Sequence, residues 1–169
     1  TDFTGYLGLN VAPRHFRNPH FCQQLLDMLK AAGLPPSRLC LEITEGALID
    51  DPERTCDLLN ELRSHGMSLA LDDFGTGYSS LGYLHRFPLL TLKIDRSFVA
   101  PLTSPTANQG SASAAVVRAV VALAGSLGLS VVAEGIETQA QADALCALGC
   151  HLGQGFLFAK PGPLPASSA

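Results

Sequence analysis

Two adjacent carboxylates, Asp72 and Asp73, follow the apolar run Leu69-Ala70-Leu71 and precede the glycine-rich segment Phe74 to Ser80. Paired acids at a strand end can serve two divalent ions. Such ions sit roughly 3.5–4 Å apart and clamp the attacking and leaving oxygens of a phosphoryl displacement. Oxygen donors of this kind suit Mg2+ or Mn2+ and not zinc. A lone Asp-Asp pair would read as solvated or helix-capping acids, but this pair belongs to a series. Asn10, Glu42, Lys93, Glu134 and Gln154 stand near the ends of five other short apolar runs.

In the first five runs the polar residue alternates with large aliphatics. Leu7, Leu9 and Val11 flank Asn10; Leu39, Leu41 and Ile43 flank Glu42; Leu92 and Ile94 flank Lys93. Side chains alternate across a strand, so the aliphatic face is free to pack on helices while the polar residue points into the other layer. Polar groups gathered at strand ends are how a β/α barrel builds an active site.

Several of these residues admit two readings. Lys93 could position a water, take its proton or bind phosphate, and it could equally form a structural ion pair with Asp95. Glu137 could act behind Glu134 or merely open a helix, and Gln154 could bind substrate or be structural. The Phe74 to Ser80 loop has glycines that allow close backbone approach, although its order is not a P-loop. Glu45 is placed to anchor that loop, or it is a surface acid.

The elements that must position these groups alternate strand and helix. Strands are expected at 7–12, 39–44, 68–73, 89–95, 130–134 and 153–158. Between them, Asn18-Pro19 and Asp51-Pro52 open helices with proline at the first helical position, and Thr138 caps another that Gly149 ends. Residues 103–113, rich in Ser, Ala, Gly, Asn and Pro, read as a mobile loop before a helix over 114–127. The alternation predicts a parallel α/β sheet. The absence of GxGxxG after the first strand weakens a dinucleotide fold. A TIM-like barrel is expected, here about six of eight β/α units, over residues 1–160, with a loose tail at 161–169.

Composition narrows the class. The 169 residues are 47% hydrophobic and 15% charged, which suits one folded domain. A net charge of −4 argues against binding DNA or RNA polymers. The five cysteines form no CxxC pair and read as idle or buried thiols in a reducing compartment. His15, His20, His65, His85 and His151 show no metal-ligand spacing and read as structural or surface. No secretory signal is visible, and the apolar stretch 114–133 is interrupted by Arg118, Gly125 and Gly128. A cytoplasmic domain is expected, with a membrane anchor possible elsewhere in a longer chain.

The run Asp72-Asp73-Phe74-Gly75-Thr76-Gly77-Tyr78-Ser79-Ser80-Leu81 resembles the signature loop of EAL-domain cyclic di-GMP phosphodiesterases. Leu41-Glu42-Ile43-Thr44-Glu45, Leu92-Lys93-Ile94-Asp95, Ala133-Glu134-Gly135-Ile136-Glu137-Thr138 and Gln154-Gly155-Phe156 agree in order and spacing. The resemblance implies cleavage of cyclic di-GMP to linear pGpG with Mg2+ or Mn2+. It implies Asn10, Glu42, Asp72, Asp73 and Glu134 as metal ligands, and Lys93, Glu134 and Asp72 as catalytic. Asn10, Asp95, Gln154 and Glu137 would bind substrate, and Glu45 would hold the loop. It further implies a homodimer joined to upstream sensory or diguanylate-cyclase-like domains. The Glu-Ala-Leu strand that names the family is absent from these 169 residues, so a longer parent protein is expected to supply it. A catalytically inactive receptor or a truncated remnant is the alternative.

Overall fold

The computed structural model describes residues 5–48, 51–76, 84–103 and 107–162, the side chains of 107–111 excepted. Six strands, β1 (Leu7–Val11), β2 (Leu39–Thr44), β3 (Ser68–Phe74), β4 (Thr91–Ile94), β5 (Ser130–Ala133) and β6 (Leu152–Gly153), lie side by side in chain order. Every neighbouring pair is parallel. Among the described residues the sheet stays open, with β1 and β6 as its edges.

Helices return the chain between strands: α1 (Pro13–Phe16), α2 (Phe21–Ala31), α3 (Pro52–Ser64), α4 (Arg96–Val99), α5 (Ala107–Leu127) and α6 (Gln139–Ala147). The outward sheet residues Leu41, Ile43, Leu69, Leu71, Leu92 and Ile94 are buried with Leu25 and Leu29 of α2, Leu59 and Leu62 of α3, and Val117 and Val120 of α5. Burying each such aliphatic is worth about 1.5–3 kcal/mol, which makes this sheet–helix layer the main source of stability.

Helix starts follow local chemistry. The Asp51 side chain accepts from the Arg54 backbone N–H, with Pro52 at the first helical position. Thr138 and Gln141 form a reciprocal capping box at α6.

Five expectations need correction. Helix α5 begins at Ala107, so the expected loop over 103–113 is helical from there on. Ala112, Ala114 and Ala115 are strong helix formers, and the buried Val117, Val120 and Ala124 tie the helix to the core. Helix α2 starts at Phe21, because the Asn18 side chain accepts from the His20 N–H and holds Asn18-Pro19 in a turn. A short α1, unforeseen, precedes it. β6 ends at Gly153, because the chain turns where Gly155 packs against the Ile136 backbone, leaving no room for a Cβ beside the Ile136 carbonyl oxygen. Leu7 and Leu9 are 48% and 40% exposed, since β1 is an edge strand. The expected loop beyond Thr76 and the tail from 163 lie outside the described residues.

All five cysteines are free thiols. Among the described residues no helix is long and apolar enough to cross a membrane.

Candidate active site

The inward face of the sheet carries Gly8 and Asn10 from β1, Cys40 and Glu42 from β2, Ala70 and Asp72 from β3, and Lys93 from β4. Asn10 and Glu42 are register partners, so they stand side by side. Glu42 leans toward β1: a Cβ at Gly8 would meet its Oε1 at 2.7 Å. A side chain at Gly8 would therefore displace the carboxylate.

Asp72 and Asp73 should point to opposite sheet faces, as neighbours in a strand do. They do not, because the β3–β4 register shifts between Leu71 and Phe74. A bulge of this kind re-aims side chains. Asp73 takes the left-handed conformation, with φ 54°, a strained state for any residue but glycine, though one aspartate tolerates best. Its N–H donates to Asp72 Oδ1, and the Thr76 hydroxyl donates to the Asp73 carbonyl. One carboxylate oxygen from each of Asp72, Asp73 and Glu134 consequently lies within 4.8 Å of the others.

Lys93 sits at the centre. Its Nζ is 2.8 Å from Glu42 Oε2, 3.3 Å from Asp72 Oδ1 and 2.5 Å from Glu134 Oε1. The ion pair with Asp95 allowed by the sequence is replaced by these three; Asp95 instead accepts from the Ser97 N–H and caps α4. Burial works to lower the Lys93 pKa, but its hydrogen bonds to Glu134 and Glu42 and the surrounding charge hold it above the ordinary lysine range. Desolvation, then the neighbouring acids, raise the proton affinity of Asp73. Glu134 is likewise raised by desolvation and by Asp72 and Glu42, against the pull of Lys93. Burial would raise Asp95 too, yet its hydrogen bonds from Ser97 and Arg96 keep it below the usual range.

Four carboxylates (Glu42, Asp72, Asp73, Glu134) against one ammonium leave three negative charges uncompensated. Burial first, and that excess second, raise the proton affinities of Asp73 and Glu134. An all-oxygen donor set with surplus negative charge fits hard divalent cations.

Gln154 donates to Glu134 Oε1 at 2.7 Å, so it joins the centre although it lies beyond β6. Glu137 stands further out, paired with Arg96 at 3.0 Å. Arg96, Glu134, Glu137, Gln154 and Phe156 line a cleft of about 500 Å³ beside the carboxylates. Arg96 was not foreseen. Its stem lies over Gly135, where a Cβ would come within 2.5 Å of it, and only the glycine there signals the contact. Glu45 is buried, and neither of its carboxylate oxygens has a hydrogen-bond partner among the described residues. The loop it was expected to hold lies outside them.

The sequence profile of the EAL domain matches residues 3–161. The chain belongs to the EAL-domain family. It is 43% identical over 158 residues to the cyclic di-GMP phosphodiesterase RocR of Pseudomonas aeruginosa, covering 93% of this chain and 39% of RocR. It is 41% identical over 157 residues to that organism's bifunctional diguanylate cyclase/cyclic di-GMP phosphodiesterase MucR, covering 93% and 22%. The EAL chain thus spans well under half the length of these curated relatives.

Solved structures agree. The PaMucR phosphodiesterase in complex with c-di-GMP superposes with a TM-score of 0.85 at 40% identity, covering 94% of this chain and 62% of that one. Klebsiella pneumoniae BlrP1 in a manganese/cy-diGMP complex gives 0.78 at 37%, covering 90% and 38%. The open six-stranded sheet is therefore part of the TIM-like barrel of EAL proteins.

Proposed function

We propose that the protein containing this chain is a metal-dependent phosphodiesterase that hydrolyses cyclic di-GMP to linear pGpG. The observation that carries the reading is the convergence of Asp72, Asp73 and Glu134 within 4.8 Å, in a site left with surplus negative charge. The names of RocR and MucR support the substrate, and the manganese complex of BlrP1 supports the metal class.

Asn10, Glu42, Asp72, Asp73 and Glu134 would hold two Mg2+ or Mn2+ ions. When bound, such ions polarise phosphoryl oxygens and lower the pKa of water. Hydrolysis forms one P–O bond to water and breaks one P–O3′ bond, and the 3′ oxygen leaves with a proton. Lys93, in contact with Glu42, Asp72 and Glu134, is assigned to orient the attacking water and to offset charge. Glu134, fixed by Lys93 and Gln154, is the group we assign to accept the water's proton and to return one to the departing 3′ oxygen.

Gln154 and Glu137 line the cleft beside the centre and are assigned to substrate, with Asn10. Asp95 uses Oδ1 to cap α4, which leaves Oδ2 for the same purpose. Glu45 is assigned to hold the loop after Thr76. We place residues 1–160 in the phosphodiesterase domain. The domain acts in the cytoplasm as a homodimer and follows sensory or diguanylate-cyclase-like modules.

The full-length protein, incubated with cyclic di-GMP and Mg2+ or Mn2+, should release pGpG on chromatography, and a chelator should stop it. Tight nucleotide binding without product would mark an inactive receptor. Neither binding nor product would mark a remnant.

A further inference from the structure

A second group of metal-binding side chains lies on the helical layer. Cys22 from the first turn of α2, Glu61 from the last turn of α3 and His65, which caps α3, bring Sγ, a carboxylate oxygen and an imidazole nitrogen within 4.8 Å of one another. Glu61 and His65 are four residues apart and so share one helix face. Reading the histidines one by one missed this, because the third donor is 39 residues away in sequence.

The three donors are not equivalent. Cys22 is buried, while Glu61 and His65 are exposed. Burial, then the neighbouring Glu61 carboxylate, push the Cys22 thiol up to about 11, so a metal must displace its proton on binding. The Sγ therefore forms a floor, with the other two donors at the rim and one side open to water. Zinc bonds to S, N and O at about 2.0–2.3 Å and takes four ligands, which needs donors roughly 3.5 Å apart. Rotation of the exposed Glu61 and His65 side chains closes that gap.

We propose that Cys22, Glu61 and His65 form a site for a thiophilic divalent metal, Zn2+ in the first instance, with water as fourth ligand. The donor set separates it chemically from the carboxylate centre. Thiolate and imidazole favour zinc strongly over Mg2+ or Mn2+, whereas all-oxygen donors suit the harder Mg2+ and Mn2+. The ion would join the start of α2 to the end of α3, two helices that flank the strand carrying Glu42.

Co2+ added to the full-length protein reads the site directly, because a thiolate ligand produces a sulfur-to-cobalt charge-transfer band that carboxylates cannot. The proposal predicts this band, its removal by equimolar Zn2+ and its loss in Cys22→Ser. It also predicts Co2+ affinity weakened by about tenfold or more in His65→Ala. Cys40 is the control that matters, since its thiol lies within electrostatic reach of Glu42 and Lys93. A band retained in Cys22→Ser would assign the sulfur elsewhere and overturn the proposal. So would the absence of any band, or a smaller loss in His65→Ala. Circular dichroism of both variants excludes misfolding as the cause.

Discussion

Lys93 Nζ stands 2.8 Å from Glu42 Oε2, although β3 lies between the strands that carry them. Adjacent strands are about 4.8 Å apart, so only a long side chain can bridge two intervals. The ammonium thereby ties β2, β3 and β5 to β4 at one end of the sheet. Lys93→Met should lower turnover by about a hundredfold or more, the scale of a lost preorganised donor at the reacting centre. It should also lower the melting temperature of the metal-free protein, because three partly buried carboxylates lose their shared partner. Saturating Mn2+ should restore more of the melting temperature in the variant than it adds to wild type. Calorimetry with and without metal checks this.

The bulge at Asp72-Asp73 separates charge from backbone strain. Asp73→Asn keeps a side chain that tolerates the left-handed conformation and should fold like wild type while losing activity. Asp73→Val should unfold more easily by roughly 1–3 kcal/mol, since a β-branched residue cannot sit comfortably at φ 54°. Denaturant titration of both variants distinguishes the two effects.

Much of this arrangement was legible in the sequence. The alternation of Leu41-Glu42-Ile43 and Leu92-Lys93-Ile94 already put the polar groups on one face, and Thr138 already marked a helix start. What stayed hidden depends on neighbours distant in the chain. The register shift that turns Asp73 inward is a property of β3 against β4. The partners of Lys93 come from β2, from β3 and from the residue just after β5, so its sequence neighbour Asp95 was a misleading guide. Leu7 and Leu9 follow the alternation yet stay exposed, because position in the sheet and not pattern decides burial at an edge.

Gly8 makes room for Glu42. Gly8→Ala adds one methyl group where Oε1 stands 2.7 Å away, so the carboxylate must move. Mn2+ affinity should fall by about tenfold, the order expected when a ligand's support is disturbed. Metal titration checks this, and an unchanged affinity would remove Gly8 from the account.

Stability should respond to pH in opposite senses at different groups. Asp73 and Glu134 have folded pKa values raised above their ordinary 3.8 and 4.5. Their contribution is therefore present below those values and is lost as pH rises through the higher folded values. Asp95 is lowered, so its contribution is present above 3.8 and is lost as pH falls through its lower folded value. The metal-free protein should lose melting temperature as pH rises just above the carboxylate range. Mn2+ should abolish that loss, and melting curves across the range in chelator and in Mn2+ check it.

The most direct test of the central claim is turnover of cyclic di-GMP by the full-length protein and its Asp72→Asn variant, both at saturating Mn2+. Asp72 contacts Lys93 and belongs to the carboxylate triad, and one neutral amide keeps its shape while removing its charge. The expected result is pGpG from the wild type and a loss of about a thousandfold or more in the variant, with circular dichroism unchanged. Wild-type turnover in the variant would contradict the metal-dependent mechanism.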